Sequence, residues 1–203
     1  MNAWTTGIGG VVLGVFLLAA FRFMTVPPPP VTHHHANWAV FVGGERLDLS
    51  DDRFMEDVAS CRTSPESIRP QDRIHLHDGD DDVVHVHHPA ATWGQLLANL
   101  EMAAGPDYLF TPDGSKHFAG DDSLVVFIRN GQRVYDLSNE TVRSEDRVVI
   151  SFGTETPEEV MERHFSQVAD NAAEHNEMAD PGACMGSHEA ESFTVKLRRA
   201  FIG

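Results

Sequence analysis

Cysteine is scarce in this chain of 203 residues, which contains only two. Cys61 and Cys184 form no Cys-x-x-Cys pair, so the sequence excludes a dithiol redox site and a cysteine-rich zinc site. One disulfide between them would require an oxidising compartment, and the sequence leaves open whether they pair.

Basic residues are also in short supply: 15 Lys and Arg stand against 31 Asp and Glu, for a formal net charge of -16. A protein that binds nucleic acid or an anionic lipid surface needs a basic patch, so we expect no nucleic-acid partner. The chain also contains no nucleophile elbow, P-loop or dinucleotide fingerprint. These absences favour a binding or structural protein over an enzyme.

Histidine, by contrast, is abundant, with 12 residues. In the stretch Ile74–His88, IHLHDGDDDVVHVHH, two runs alternate histidine with aliphatic residues around an Asp/Gly cluster, which is typical of a β-hairpin. Successive side chains of a strand point to opposite faces, so the imidazoles of each run share a face and could together bind copper or zinc. The predicted ligands are His75, His77, His85 and His87. Histidines 33 to 35 and His88 could be auxiliary ligands, and of these we predict His34, His35 and His88.

The same stretch has less specific interpretations. Its polar face could simply be solvated, or its histidines could form a proton-sensitive surface patch. Asp78, Asp80 and Asp82 have the spacing of a calcium loop, but Val83 stands where glycine is required and Pro89 where glutamate is required. The sequence therefore excludes an EF-hand, and the aspartates are better explained as turn residues that add negative charge beside the imidazoles.

The N-terminal segment Gly7–Val26 is apolar, with Arg22 as its only charged residue. Its length matches the ~20 residues that cross a bilayer, so we predict a transmembrane anchor over residues 1–26. A cleaved signal peptide is the alternative, but no positively charged region precedes the apolar run. Gly10 and Gly14 form a GxxxG-like pair on which a partner helix could pack. We expect a single-pass protein of the inner (cytoplasmic) membrane with a periplasmic, extracytoplasmic domain.

The remaining sequence predicts an α+β fold. A linker rich in proline and histidine (27–36) leads to an α+β domain (37–153), which a C-terminal helix and tail (154–203) follow. Two segments of the domain share the order strand, glycine turn, strand, and so predict an internal repeat (37–78 and 124–153). We expect two β-grasp-like strand-turn-strand modules with short helices.

The predicted repeat shows which residues replace the histidines in its second copy. The sequence QDRIHLH of the first copy aligns with EDRVVIS of the second, so Val149 and Ser151 stand where the first copy has His75 and His77. The scaffold therefore does not require imidazole at these positions, and this supports a functional role for it.

Capping patterns, in which Thr is followed three residues later by Gln or Glu, predict helices over residues 92–103 and 156–176. His164 and His175 lie near the same side of the second helix and could be ligands, but we expect ordinary surface histidines. Alternating apolar residues predict a final strand over residues 193–197.

Four motifs stand out along His33–Gly153: HHHANWAVFVGGERLDL, IHLHDGDDDVVHVHH, TWGQLL and DRVVISFG. Together with the N-terminal helix they resemble a poorly characterised family of bacterial membrane-anchored, extracytoplasmic proteins. The resemblance implies a fold and a membrane anchor. Some members carry the label protein-disulfide isomerase, but that activity implies a redox dithiol, which this chain lacks.

Two functions of different classes fit the sequence. The first is a membrane-anchored metal-binding module that holds copper or zinc in its histidine-rich hairpin. The second is a non-catalytic accessory or scaffold subunit of a larger membrane protein complex, with other membrane-protein subunits as partners. A hydrolytic zinc enzyme with Asp78 or Glu101 as general base is a weaker third, because nothing in the sequence fixes either residue.

Overall fold

The computed structural model describes residues 3–27, 32–57, 69–178 and 193–202. These residues divide into two compact units, one from Met1–Pro30 and His188–Gly203 and the other from Val31–Ser187. Cys61 and Cys184 lie outside the described residues, and so does any disulfide between them.

The fold is α+β, with two sheets and five α-helices among the described residues. The helices are α1 (Ala3–Thr25), α2 (Trp93–Asn99), α3 (Pro157–Glu159), α4 (Ala172–Glu177) and α5 (Phe193–Phe201). The larger sheet contains β1 (His34–Val42), β2 (Glu45–Arg46), β3 (Ile74–His77), β4 (Asp80–Val86), β8 (Leu124–Arg129), β9 (Gln132–Val134) and β10 (Arg147–Gly153). The smaller sheet contains β5 (Ala103–Gly105), β6 (Tyr108–Phe110) and β7 (Lys116–Phe118).

The smaller unit pairs α1 with α5. The rings of Phe23 and Phe193 are 5.3 Å apart, and the ammonium of Lys196 lies 5.0 Å from the centre of the Phe23 ring. Arg22 Nε donates a hydrogen bond to the backbone carbonyl of Ala200. Contacts of three kinds, aromatic, cation–π and hydrogen-bonding, therefore link the described parts of the two helices.

The predicted transmembrane anchor is wrong. Within the described part of the chain, no helix combines the length and the apolar character that crossing a membrane requires. The apolar run includes glycines, which bring no side chain to bury, and Arg22, whose charge is costly in hydrocarbon. The predicted single-pass location in the inner membrane, with a periplasmic domain, is wrong for the same reason.

The predicted helix-packing pair lies in α1. An added Cβ at Gly10 or Gly14 would meet no atom within 4 Å, so no described element packs against either glycine. The packing role of the pair, and the partner subunits that it suggested, stay predictions.

The predicted C-terminal strand is also wrong, because residues 193–197 begin α5. Phe193, Leu197, Ala200 and Phe201 follow the i, i+4, i+7, i+8 spacing of one helix face. The alternation of three apolar residues was too short to distinguish a strand from this helical stripe.

The larger sheet of the second unit is mixed. Its strands lie in the order β3-β4-β1-β10-β8-β9. The short strand β2 forms a hairpin with the end of β1. β1 and β10 are parallel, whereas the other neighbouring strands are antiparallel.

Each of the three hairpins in the larger sheet is closed by a two-residue turn with positive φ at both residues, which is the geometry of a type I′ turn. The turns are Gly43-Gly44, Asp78-Gly79 and Asn130-Gly131. The predicted hairpin at Asp78-Gly79 is therefore confirmed.

The side chains of β1 divide between two hydrophobic clusters, one on each face of the sheet. Trp38 and Val40 belong to the main core, which also contains Trp93 and Leu96 of α2. Ala39 and Phe41 point to the opposite face, against Val160 and Val168. The predicted capping box of Thr92 and Gln95 is present and begins α2 above the main core.

The predicted helix over residues 156–176 is not continuous. The capping box at Thr156 begins α3 as expected, but a π-helical turn (Val160–His164) and a 3-10 turn (Phe165–Gln167) follow it, and α4 begins only at Ala172. The guanidinium of Arg147 donates to the carbonyls of Phe165, Val168 and Ala169. These bonds satisfy carbonyls that a continuing helix would have used, so the helix ends there.

The two segments of the predicted repeat contain the same turn before their last strand. The carboxylate of Asp72 accepts a hydrogen bond from the backbone N–H of Arg69 at 2.7 Å, and that of Asp146 accepts one from Arg143 at 2.8 Å. Strands of both segments nevertheless belong to one sheet, in which β4 separates β3 from β1 whereas β10 lies directly against β8. The two β-grasp-like modules expected are therefore not separate, and the domain boundaries stay a prediction.

Asp146 is the centre of a buried ion pair. Its oxygens accept hydrogen bonds from Arg129 Nε at 3.0 Å and from Arg129 Nη2 at 2.6 Å. Asn130 Nδ2 and the backbone N–H of Arg143 also donate to it. Arg129 is 8% exposed and Asp146 is 2% exposed, so neither charge is well solvated.

We expect Asp146→Ala to lower the free energy of unfolding by roughly 3–5 kcal/mol, because it removes the buried partner of Arg129 and leaves that charge only the exposed carboxylate of Glu140 at 3.3 Å. Denaturant unfolding of both proteins measures the difference. Asp170→Ala is the control, since Asp170 is exposed and lies 3.8 Å from Arg147, where an ion pair contributes less than ~1 kcal/mol. Similar losses in the two variants would contradict the prediction.

Candidate metal centre

Three adjacent strands bring their histidines to one face of the larger sheet. His35 of β1 lies directly opposite His85 of β4, and His85 lies opposite His75 of β3. The three side chains therefore form a row across the strands. They point away from the main core, which receives Ala36, Ile74 and the other intervening residues, because strand side chains alternate.

Histidines on both sides of this row complete a continuous cluster. The ring centres are separated by 4.7 Å for His33–His35, 5.0 Å for His33–His87, 4.4 Å for His35–His85, 5.0 Å for His75–His87 and 3.4 Å for His77–His85. His175 of α4 approaches from outside the sheet, 5.5 Å from the His35 ring. We call His33, His35, His75, His77, His85 and His87 the histidine cluster.

Three members of the histidine cluster lie close enough to hold a metal ion. One ring nitrogen from each of His33, His85 and His87 is within 4.8 Å of the other two. Ligand nitrogens at about 2.0–2.1 Å from zinc are about 3.4 Å from one another, so small side-chain rotations would bring these three to a common ion.

Hydrogen bonds fix which ring nitrogen of several cluster members carries a proton. Nδ1 of His75 donates to the backbone carbonyl of Gln71 at 2.7 Å, and Nδ1 of His77 lies 2.9 Å from a carboxylate oxygen of Asp78. Both partners accept, so Nδ1 of each ring carries a hydrogen, and Nε2 of His75, whose pKa is lowered by burial, keeps the lone pair. A histidine that binds a metal through Nε2 commonly donates Nδ1–H to a carbonyl or a carboxylate in this way.

Some ring nitrogens in the cluster are buried without a hydrogen-bond partner among the described residues. They are Nε2 of His75 and both nitrogens of His87. A buried polar atom without a partner is unfavourable, and native proteins contain few of them. A metal ion would use these lone pairs, so the cluster fits the donor chemistry of a metal site.

Burial lowers the pKa of four members of the cluster, His35, His75, His85 and His87, and so favours their neutral forms. It lowers the pKa of His85 far below the ordinary value, and charge on His77 or His35 would lower it further. Burial lowers the pKa of His87 to about 2, with a smaller contribution from His75. It lowers the pKa of His35 to about 4, although the hydrogen bond to Asn176 opposes the shift. Neutral imidazole is the form that binds a metal ion.

The predicted ligands His75, His77, His85 and His87 all lie in the cluster, together with His35. His34 and His88 do not. The ring of His34 is on the other side of β1, where Nε2 lies 3.2 Å from the carbonyl oxygen of Val142, and Nδ1 of His88 accepts a hydrogen bond from Ala90 N–H at 3.1 Å. The ring nitrogens of these two histidines therefore have hydrogen-bond partners outside the cluster.

The sequence prediction missed two participants. His33 was named only as a possible auxiliary ligand and was left out of the predicted set, yet it has the same parity as His35, and strand alternation would have selected it over His34. His175 was expected at the surface, and nothing in its sequence pattern indicates that α4 packs on β1. The side-chain oxygen of its neighbour, Asn176, accepts hydrogen bonds from His35.

His164, also expected at the surface, is 1% exposed. Its ring stacks on Phe41 at 4.2 Å, and its Nδ1 lies 3.0 Å from the hydroxyl of Ser151. Burial lowers its pKa. The expectation for it was wrong, because His164 follows Val160 by four residues and so lies on the helical face that packs on the sheet.

Comparison with family models, curated proteins and solved structures found no match for this chain. The family resemblance suggested by the sequence therefore stays a prediction. The functional interpretation of the histidine cluster rests on its geometry.

We expect the metal-free protein to lose stability as the pH falls. The pKa of His35 is about 4 in the folded chain and 6.5 in the unfolded chain, so the unfolded state takes up the proton first. Stability is full above the unfolded pKa and falls as the pH decreases from 6.5 to about 4. This group alone should cost roughly 2 kcal/mol between about pH 7.5 and pH 5.

Urea unfolding at the two pH values, with a chelator present, measures this loss. In His35→Gln the position cannot titrate, so the dependence on pH should be shallower. An equal dependence in both proteins would show that His35 is protonated as readily in the folded chain as in the unfolded one.

Proposed function

We propose that this protein binds a transition-metal ion in the histidine cluster, with His33, His85 and His87 as the ligands around which the site is built. The observation that carries the proposal is the convergence of three imidazole nitrogens within 4.8 Å of one another on a buried sheet face. Exposed histidines can lie close together by chance. Here His85 is 5% exposed, and burial lowers the pKa of both His85 and His87, which is costly unless a ligand uses these rings.

The chemistry of the donors favours copper or zinc. Imidazole is a good ligand for both, whereas magnesium and calcium prefer oxygen ligands. Three imidazoles leave one tetrahedral position of zinc or copper(I) to be filled. His75 is the best-placed residue to fill it, because its Nε2 keeps a lone pair and its ring stacks 5.0 Å from His87. His75, predicted from the sequence, is thus proposed as the fourth ligand, and His77, predicted with it, lies beside His85 with 3.4 Å between the ring centres.

The charge of the protein also supports a cation. Three neutral imidazoles leave the charge of the ion uncompensated, so the surroundings must be negative. The net charge of -16 supplies a general attraction, and Asp78 adds a carboxylate that contacts the His77 ring at 2.9 Å. A cavity of about 400 Å³ lies beside this carboxylate and is lined by Asp52, Glu56, Asp57 and Asp78, together with Met55 and Gly79.

We propose a binding role rather than catalysis, because neither Asp78 nor Glu101 is placed to act as a general base at the three ligands. A hydrolytic zinc centre needs a carboxylate or similar base beside an open position. Asp78, the candidate base, is already hydrogen-bonded to the His77 ring. Glu101, the other candidate, lies after α2, which packs in the main core on the opposite side of the sheet.

Titration of zinc and of copper into the full chain, followed by calorimetry, tests the proposal. We expect tight binding of one ion, and we expect His85→Ala and the double variant His33→Ala/His87→Ala to weaken it by more than about 100-fold, beyond the effect of typical outer-shell changes. His34→Ala is the matched control, because it removes an imidazole from the same strand but from the other side of β1.

Equal affinities in the wild type and in all variants would disprove the metal site. A loss in His75→Ala/His77→Ala but not in His33→Ala/His87→Ala would move the ion to the β3 hairpin and exclude the ligand set proposed here. Circular dichroism of each variant separates loss of a ligand from loss of the fold.

A further inference from the structure

Asn176 connects α4 to the histidine cluster. Its side-chain oxygen accepts hydrogen bonds from the backbone N–H of His35 at 2.8 Å and from Nδ1 of the same residue at 2.9 Å. On the other side of the ring, Nε2 of His35 lies 2.9 Å from Nδ1 of His85. A chain of hydrogen bonds thus leads from Asn176 through His35 to His85, one of the three proposed ligands.

The amide of Asn176 has only one orientation that satisfies these contacts. The backbone N–H of His35 can only donate, so the atom that it contacts must be the amide oxygen. The amide nitrogen then points the other way, where it donates to the hydroxyl of Ser144 at 3.0 Å. Because the oxygen is only an acceptor, Nδ1 of His35 must carry a hydrogen.

This orientation determines the position of the next proton along the chain. A neutral imidazole has one N–H and one acceptor nitrogen, so Nε2 of His35 is the acceptor. Nδ1 of His85 is therefore the donor, and Nε2 of His85 is the nitrogen that keeps a lone pair. Burial lowers the pKa of both rings, which is consistent with the neutral forms that this assignment needs.

We infer that Asn176 is a positioning residue that sets the tautomer of His85 and so presents Nε2 of that ring to the metal ion. The consequence for metal binding rests on the proposed function, whereas the hydrogen-bond chain exists without a metal. A histidine ligand commonly has its second nitrogen held by such a partner, and losing the partner typically weakens metal binding by about 10–100-fold. The effect of Asn176 would reach His85 through His35.

The alternative role for Asn176 is to dock α4 on β1, and a second asparagine separates the two roles. Asn171, at the N-terminal end of α4, accepts a hydrogen bond from Nδ2 of Asn37 at 2.7 Å, and its backbone N–H donates to the same side chain at 3.0 Å. This pair docks the same helix on the same strand through groups outside the chain that leads to His85. Asn171→Ala is therefore a matched control for Asn176→Leu.

The first test is the tautomer of His85 in the metal-free full chain, read from the two-bond nitrogen–hydrogen correlations of ¹⁵N-labelled imidazole rings. We expect hydrogen on Nδ1 in the wild type and in Asn171→Ala, and a mixture of tautomers in Asn176→Leu. Hydrogen on Nε2 in the wild type would overturn the inference, and so would an unchanged tautomer in Asn176→Leu.

The second test is zinc affinity of the same proteins. We expect Asn176→Leu to bind about 10–100-fold more weakly, and Asn176→Asp, which keeps an acceptor for both donors of His35, to recover most of the affinity at about pH 8. An equal loss in Asn171→Ala would show that docking alone matters, and wild-type affinity in Asn176→Leu would also refute the inference. A wild type that binds no zinc would instead refute the proposed function, whatever tautomer the first test finds.

Discussion

The register of β1 against its two neighbours is the constraint on which both halves of the sheet depend. β1 pairs with β4 on one side and β10 on the other, and so joins the imidazole-bearing strands to the apolar ones. A slip of one residue would turn His35 into the main core and Trp38 out of it. The side chain of Asn37 opposes such a slip, because it donates to the carbonyl of Asp82 and accepts the backbone N–H groups of Asn171 and Ala172.

The same register makes the metal-free histidine cluster energetically unfavourable, because it buries the imidazoles together. It stacks neutral rings in a buried patch and leaves His75 and His87 with ring nitrogens that find no partner in the described structure. A bound ion would remove that penalty, since each lone pair would gain a ligand bond in place of lost water. The low pKa values of His85 and His87 also favour metal binding, because a ligand that is already neutral releases no proton when the metal binds.

The sequence predicted features that depend on adjacent residues, whereas it did not predict which strands and helices lie side by side. The Asp78-Gly79 turn and the alternation of His75 and His77 follow from rules that involve only adjacent residues. That β1 lies beside β4, and so adds His35 and His33 to the hairpin, depends on strand order, which no local pattern encodes. Similarly, α4 is placed beside the cluster by contacts between residues far apart in the sequence, such as the hydrogen bonds of Asn171 and Ala172 to Asn37.

The face that carries the histidine cluster continues, along β1 and β10, as the second hydrophobic cluster. There Val149 lies opposite Ala39, and Ser151 lies opposite Phe41. In the predicted repeat, Val149 and Ser151 correspond to His75 and His77, and the intervening residues of both segments enter the main core. The sheet thus packs well at these positions with apolar and small side chains, and burial favours such residues over imidazole. The histidines at these positions are therefore not explained by packing, and this agrees with the proposed binding of a metal ion.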